Sequence, residues 1–179
     1  MFYFVNEYTN VMRLIFTIPL FFTLFYVGSK PDSENSSNLN RFQNEFLNRV
    51  NKVRQSGCKC GSTYMPPVKA LVWNNFLETS ALGHAGDMFR RKYFAHKSLT
   101  GKTVKNRIED AGYILSGTQT YAIGENIAAG QKSIEEVMKS WIKSEGHCKN
   151  IMNKDFREIG IGEMNLYWVQ DFGMRVLIN

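Results

Sequence analysis

No Gly-x-Ser-x-Gly elbow, His-Glu-x-x-His pair or Walker phosphate loop occurs in this chain, so three common routes to hydrolysis or phosphoryl transfer have no sequence support. Cysteine is scarce, at three residues, and neither paired Cys-x-x-Cys nor His-x-x-x-His spacing is present to mark a structural zinc site. Lys and Arg outnumber Asp and Glu by 22 to 16, but they are scattered, with no run long enough for a basic tract, so no nucleic-acid partner is expected. Only four prolines and no internal repeat or low-complexity tract interrupt the 179 residues. With 44% hydrophobic and 21% charged residues, the composition excludes a disordered chain and suits one core.

What is present begins with an address. Leu14 to Val27 is apolar apart from two Thr and a Pro, follows Arg13 and ends in Val27-Gly-Ser29, so residues 1–29 read as a signal peptide or, counted from Val11, an N-terminal anchor. Met12 is an alternative start, and no cysteine lies near the cleavage site to carry a lipid. Residues 30–39, rich in Ser, Asn and Pro, read as a polar linker, and the folded domain is expected over 40–179. Export places Cys58, Cys60 and Cys148 where pairing is expected. A bridge between Cys58 and Cys60 would close a strained ring, so each competes for Cys148, and a Cys/His metal site using His147 is the less favoured alternative.

Helical spacing of Phe42, Phe46, Leu47, Val50 and Val53, with Asn40 and Gln43 as a reciprocal cap, predicts a helix to about Gln55. Asn75 with Glu78 opens a second, running through Leu77, Ala81, Ala85 and Met88 to about Lys92. Val104 to Ala111, stopped by Gly112, predicts a third. Ser133 with Glu136 caps a fourth through Trp141, ending at Gly146. Cys58 to Lys69 reads as a loop, and strands are predicted over Tyr121–Ala128, Glu158–Glu163 and Tyr167–Phe172, the last two forming a hairpin. About four helices precede or surround a small antiparallel sheet, which is an α+β class rather than a βαβ alternation.

The order of Leu47-Asn-Arg-Val-Asn-Lys-Val-Arg54, Leu71-Val-Trp-Asn74, His84-Ala-Gly-Asp-Met88, Tyr93-Phe-Ala-His96, Gly124-Glu-Asn-Ile127, Trp141-x-x-Ser-x-Gly-His147, Asn150-Ile-Met152 and Tyr167-Trp-Val-Gln-Asp-Phe-Gly173 resembles the CAP superfamily of cysteine-rich secretory, antigen 5 and pathogenesis-related 1 proteins. The likeness is to its short bacterial secreted members. It implies a three-layer α-β-α sandwich with a cleft lined by two His and two acids, of which His96, Glu125 and His147 carry over. In the fourth position stands Ser144, with Glu145 beside it, although one residue along a helix turns a side chain by about 100°. A divalent metal such as zinc on His96 and His147 is implied only in weakened form. The resemblance also implies a Cys60–Cys148 bridge, with Cys58 left as a thiol.

Each of these residues also has a plain structural role open to it. His96 can cap or sit exposed, Glu125 can be a buried carboxylate that must find a cation or hydrogen bonds, and His147 can orient its turn. His84 falls on an apolar helix face and reads as a hydrogen-bonded core histidine; Trp73, Trp141, Trp168 and Tyr167 read as core. A Cys148–His147 catalytic dyad is disfavoured, because sequence neighbours rarely face one another and a bridged sulfur is no nucleophile. The expectation is a secreted or cell-surface, non-enzymatic protein whose cleft binds a lipid or sterol, an extracellular-matrix partner or a cell-wall partner. The alternative is a metal-dependent hydrolase acting on peptide or cell-wall substrates.

Overall fold

The structure, a computed structural model, describes residues 39–177; the expected leader and most of the polar linker lie outside the described residues. Five helices, α1 (Arg41–Ser56), α2 (Asn75–Arg91), α3 (Val104–Asp110), α4 (Ile134–Lys143) and α5 (Glu145–Ile151), accompany six strands. The strands are β1 (Cys58–Cys60), β2 (Thr63–Met65), β3 (Val72–Trp73), β4 (Thr118–Ala129), β5 (Glu158–Met164) and β6 (Tyr167–Leu177). Among the described residues no helix is long and apolar enough to cross a membrane.

Local chemistry accounts for the helix starts. Asn40 accepts from Gln43 N at 3.0 Å while Gln43 Oε1 accepts from Asn40 N at 2.8 Å, the reciprocal cap that the spacing predicts. Asn74, one residue earlier than expected, caps α2 through Phe76 N and Leu77 N. At α4, Ser133 accepts from Glu136 N, but Glu136 Oε2 takes the amide of Lys132 instead of the cap residue.

The helix count corrects the expectation of four. The segment through Gly146 is not one helix, because Ser144 adopts φ −82° and ψ 120°, which ends α4 at Lys143 and starts a separate α5. Gly146 and His147 therefore lie inside α5 rather than at a helix end.

The sheet runs β3-β5-β6-β4. It is mixed rather than antiparallel, because Val72 and Trp73 pair in parallel with Glu158 and Ile159. That two-residue strand, and the β1–β2 hairpin inside the expected loop, are too short to show an alternating pattern. The β5–β6 hairpin turns at Asn165 and Leu166, both at positive φ.

Helices cover both faces of the sheet. On one side α1 and α4 enclose Phe46, Val50, Trp73, Trp141, Phe156, Trp168 and Phe172, with the Phe156 and Phe172 rings stacked at 5.0 Å. Burying each of these large side chains contributes about 1.5–3 kcal/mol. On the other side α2 contributes Leu77, Ala81, Ala85 and Met88, packed on Ile127 and Val169 and on Ile108 and Tyr113. Here α2 lies almost directly on the strand: a Cβ on Gly160 or Gly162 would overlap the backbone of Leu77–Glu78 or Ala81–Leu82.

Arg54 is fully buried at the end of α1 and donates to the carbonyls of Lys69, Ile151 and Asn153 at 2.6–2.9 Å. Burial and the charge of Arg157 lower its pKa to about 10, so it stays charged at neutral pH.

Candidate functional site

Glu125 lies in the second half of β4, where the strand passes from half-exposed to buried, and its side chain is 3% exposed. An isolated carboxylate there would lose several kcal/mol of solvation, so both oxygens need partners. Oε1 accepts from His96 Nδ1 at 2.7 Å, and Oε2 is paired with the Arg107 guanidinium from α3. Arg107 also donates to the carbonyls of His96 and Lys102, at 2.8 and 3.2 Å, which clamps the loop that carries His96. The bond to Glu125 raises the pKa of the His96 ring above its usual range, opposed by partial burial and by Arg107. With Nδ1 engaged, His96 presents Nε2 from a side chain that is 60% exposed.

A second buried carboxyl stands behind this pair. Asp171 on β6 is directly opposite Glu125 in the ladder and accepts from Ser80 of α2 at 2.7 Å. Burial and then the neighbouring Glu125 push its pKa well above the carboxylate range. Ser80, Asp171, Glu125, Arg107 and His96 thus form one connected network running from under α2 to the surface.

His147 reaches the same region from α5. Asn126 donates to the His147 carbonyl at 3.2 Å, and Asn150 donates to the Glu125 carbonyl and to Asn126 Oδ1, which fastens α5 to β4. Partial burial and the nearby charge of His96 lower the His147 pKa. Beneath it, Cys148 is bridged to Cys60, and Cys58 remains a thiol with Sγ 3.5 Å from Cys148 Sγ. Burial raises the Cys58 pKa, so the thiol is held protonated.

Of the other residues named from sequence, Ser144 is the joint between α4 and α5 and makes no side-chain capping bond. Glu145 pairs with Lys149 at 2.6 Å and lies against Gly61 in the β1–β2 turn. His84 is 1% exposed, with Nε2 on the Ala95 carbonyl at 2.9 Å. Trp73, Trp141 and Trp168 are core, while Tyr167 is only half-buried.

Sequence reasoning missed Arg107, Asp171 and Ser80. The need for a cation at Glu125 was readable from burial, but nothing in α3 singled out Arg107. Asp171 had a faint signal, because a charged residue between Gln170 and Phe172 in an otherwise apolar strand needs a buried partner.

The donor set answers the question of a metal. Glu125 supporting Nδ1 of His96 is the arrangement that orients a metal-binding imidazole and leaves Nε2 for an ion. A hydrolytic zinc is usually held by three protein ligands, and Glu125 is a poor third, because both its oxygens are already paired and Arg107 adds a fixed positive charge beside it. The three cysteine sulfurs lie within 4.8 Å of one another, but two form the disulfide and offer no thiolate.

Known proteins share this arrangement of elements. The profile of the CAP family, the cysteine-rich secretory proteins, matches residues 47–172. YkwD of Bacillus subtilis (strain 168) is 39% identical over 107 residues, which is 59% of this chain and 40% of that protein. The solved structure of an extracellular protein containing an SCP domain from Bacillus anthracis superposes with a TM-score of 0.57 at 26% identity, covering 76% of this chain and 44% of that one. An outer surface protein of Borrelia burgdorferi gives a TM-score of 0.59 at 19% identity over 78% of this chain and 96% of that one, a likeness of fold. The chain accounts for less than half of YkwD and of the Bacillus anthracis protein. With the profile covering most of the described domain and the sandwich recurring in these structures, the chain belongs to the CAP, or cysteine-rich secretory protein, family.

Proposed function

We propose that this protein is an exported, non-enzymatic binding domain that presents the cleft around His96, Glu125 and His147 to a ligand or an envelope partner. The observation that carries this reading is the saturation of Glu125. A carboxylate held by His96 on one oxygen and Arg107 on the other is a fixing group rather than a free base. Among the described residues, the sulfur next to His147 is bridged. The apolar leader and the extracellular Bacillus anthracis relative support export.

Outside that cleft, a groove of about 290 Å³ between α1 and α4 offers a separate seat for an amphiphile such as a lipid or sterol. Val53, Met138 and Ile142 supply its apolar lining, and Arg49, Lys52, Glu135 and Lys139 its charged groups. Mass spectrometry of lipid extracts from natively isolated protein tests this. An enriched lipid that disappears in Met138→Lys supports it; repeated recovery without one overturns it.

The second reading, a metal-dependent hydrolase, is favoured only by the exposed Nε2 of His96 backed by Glu125. Zinc titration separates the two. Stoichiometric zinc binding lost in both His96→Ala and His147→Ala, together with zinc-dependent cleavage of peptide or cell-wall fragments, would displace the binding reading.

A further inference from the structure

Three sulfurs stand in mutual contact where the β1–β2 hairpin meets α5. Cys58 Sγ lies 3.5 Å from Cys148 Sγ and 3.7 Å from Cys60 Sγ, so the free thiol rests against both halves of the bridge. Cys60 and Cys148 are fully buried, in a cluster with Val53, Met65, Val68, Ile142 and Met152. Of the three cysteines only Cys58 keeps exposed surface.

A disulfide is opened by a thiolate that attacks one of its sulfurs, so a reductant in solution needs a path to Cys60 or Cys148. Neither residue offers one from outside. Cys58 reaches the bond from within. Its nearly equal distances place it beside the bond rather than on its extension, so attack requires the Cys58 side chain to swing into line. The hairpin that carries it allows this movement. Strands β1 and β2, three residues each, form a sheet of their own, and Lys59, Gly61, Ser62, Thr63 and Tyr64 are exposed. A two-stranded piece of that size has little stability of its own.

Chain connectivity selects the target. Attack on Cys60 would close the strained Cys58–Cys60 ring, whereas attack on Cys148 joins residues 90 apart in place of 88, a loop of nearly the same entropy. Burial raises the Cys58 pKa and keeps its thiolate fraction small. Contact offsets this, because groups held together react at effective concentrations far above those of a reagent in solution.

We propose that Cys58 is the gate through which an outside dithiol opens the buried Cys60–Cys148 bridge. The Cys58 thiol gives its proton to solvent and the thiolate attacks Cys148 Sγ, forming a Cys58–Cys148 bond and expelling Cys60 as a thiolate, which takes up a proton. This exchange neither gains nor loses electrons. The dithiol then attacks Cys58 Sγ, forming a mixed disulfide and expelling Cys148. Its second sulfur closes on its first and releases Cys58. The dithiol leaves as a cyclic disulfide, two electrons poorer, and the protein carries three thiols. Helix α5 is then tied to β4 through Asn126 and Asn150 but no longer bonded to β1.

The test is native reduction of the full chain by dithiothreitol, with thiols blocked by alkylation at successive times and located by peptide mapping. The bridge should open at least about tenfold more slowly in Cys58→Ser, with the oxidised variant keeping the wild-type melting temperature. A second measurement treats the wild type with the monothiol 2-mercaptoethanol, and the first mixed disulfide should be recovered on Cys58. That adduct decides the matter even where Cys58→Ser alters the melting temperature. Equal opening rates in the two proteins, a first adduct on Cys60 or Cys148, or no adduct overturns the proposal.

Discussion

Glu125 and Asp171 face one another across the β4–β6 ladder, two carboxyl groups in direct register inside the protein. Like charges so placed cannot both ionise cheaply, and the more buried Asp171 keeps its proton. Because its folded pKa is raised, its contribution to stability is full below its ordinary 3.8 and is lost as pH rises through the folded value. Asp171→Asn, which preserves the shape and an acceptor for Ser80, should flatten that decline. Urea midpoints for the two proteins between acid and neutral pH check this, and parallel curves would mean that Asp171 is ionised throughout.

His96 titrates under opposite influences, with the hydrogen bond to Glu125 prevailing over burial and Arg107. Its resonance should therefore titrate above the usual 6.5, and its stabilising effect is present below that pH and fades as pH rises through the folded value. Glu125→Gln should bring the His96 midpoint below that of the wild type. The same substitution leaves Arg107 without its buried counter-charge and should destabilise the domain by about 3–5 kcal/mol. An unchanged His96 midpoint would refute the coupling.

Thiol titration of the unfolded, unreduced protein should find one free thiol, Cys58. The bridge spans 88 residues, and Cys148→Ala should lower stability by about 2–4 kcal/mol. Cys60→Ser should lower it less, because Cys58 Sγ is already 3.5 Å from Cys148 Sγ and can take the vacated partner. Peptide mapping of that variant under oxidising conditions should recover a Cys58–Cys148 link; two free thiols would show that the substitute bridge does not form.

One chemical change should act with opposite signs at two glycines. Gly83→Ala adds a methyl group to open space on a helix and should stabilise by about 0.5–1 kcal/mol. Gly160→Ala drives a methyl group into the backbone of α2 and should destabilise by at least about 2 kcal/mol. Calorimetric melting of both variants checks the pair, and equal shifts would contradict the close seating of α2 on β5.

Long periodic elements were legible in the sequence because their caps and apolar spacing are local. Asn40 with Gln43 and the strand at Glu158–Glu163 both read correctly. Short pieces were not: Val72–Trp73 pairs with β5 from 86 residues away, and Ser144 breaks a helix without a Gly or Pro to announce it. Geometry also explains why Cys58 and Cys60 could not be told apart by inspection. They alternate with Lys59 in one strand and so share a face toward Cys148. For the site, the sequence supplied the residues with unusual chemistry, while their counterparts, Arg107 and Ser80, are ordinary helix residues given meaning only by assembly.

Arg54 links the beginning of the folded domain to its far end. Its guanidinium is satisfied by carbonyls at Ile151 and Asn153, 97 and 99 residues downstream. A chain threaded from its N-terminus therefore exposes α1 long before any of these acceptors has emerged, and closing so long a loop is slow. The bond to Lys69 can close early, but the guanidinium is fully satisfied only when nearly the whole domain is present. Breaking this one cluster of hydrogen bonds would therefore separate segments that lie about one hundred residues apart in the sequence.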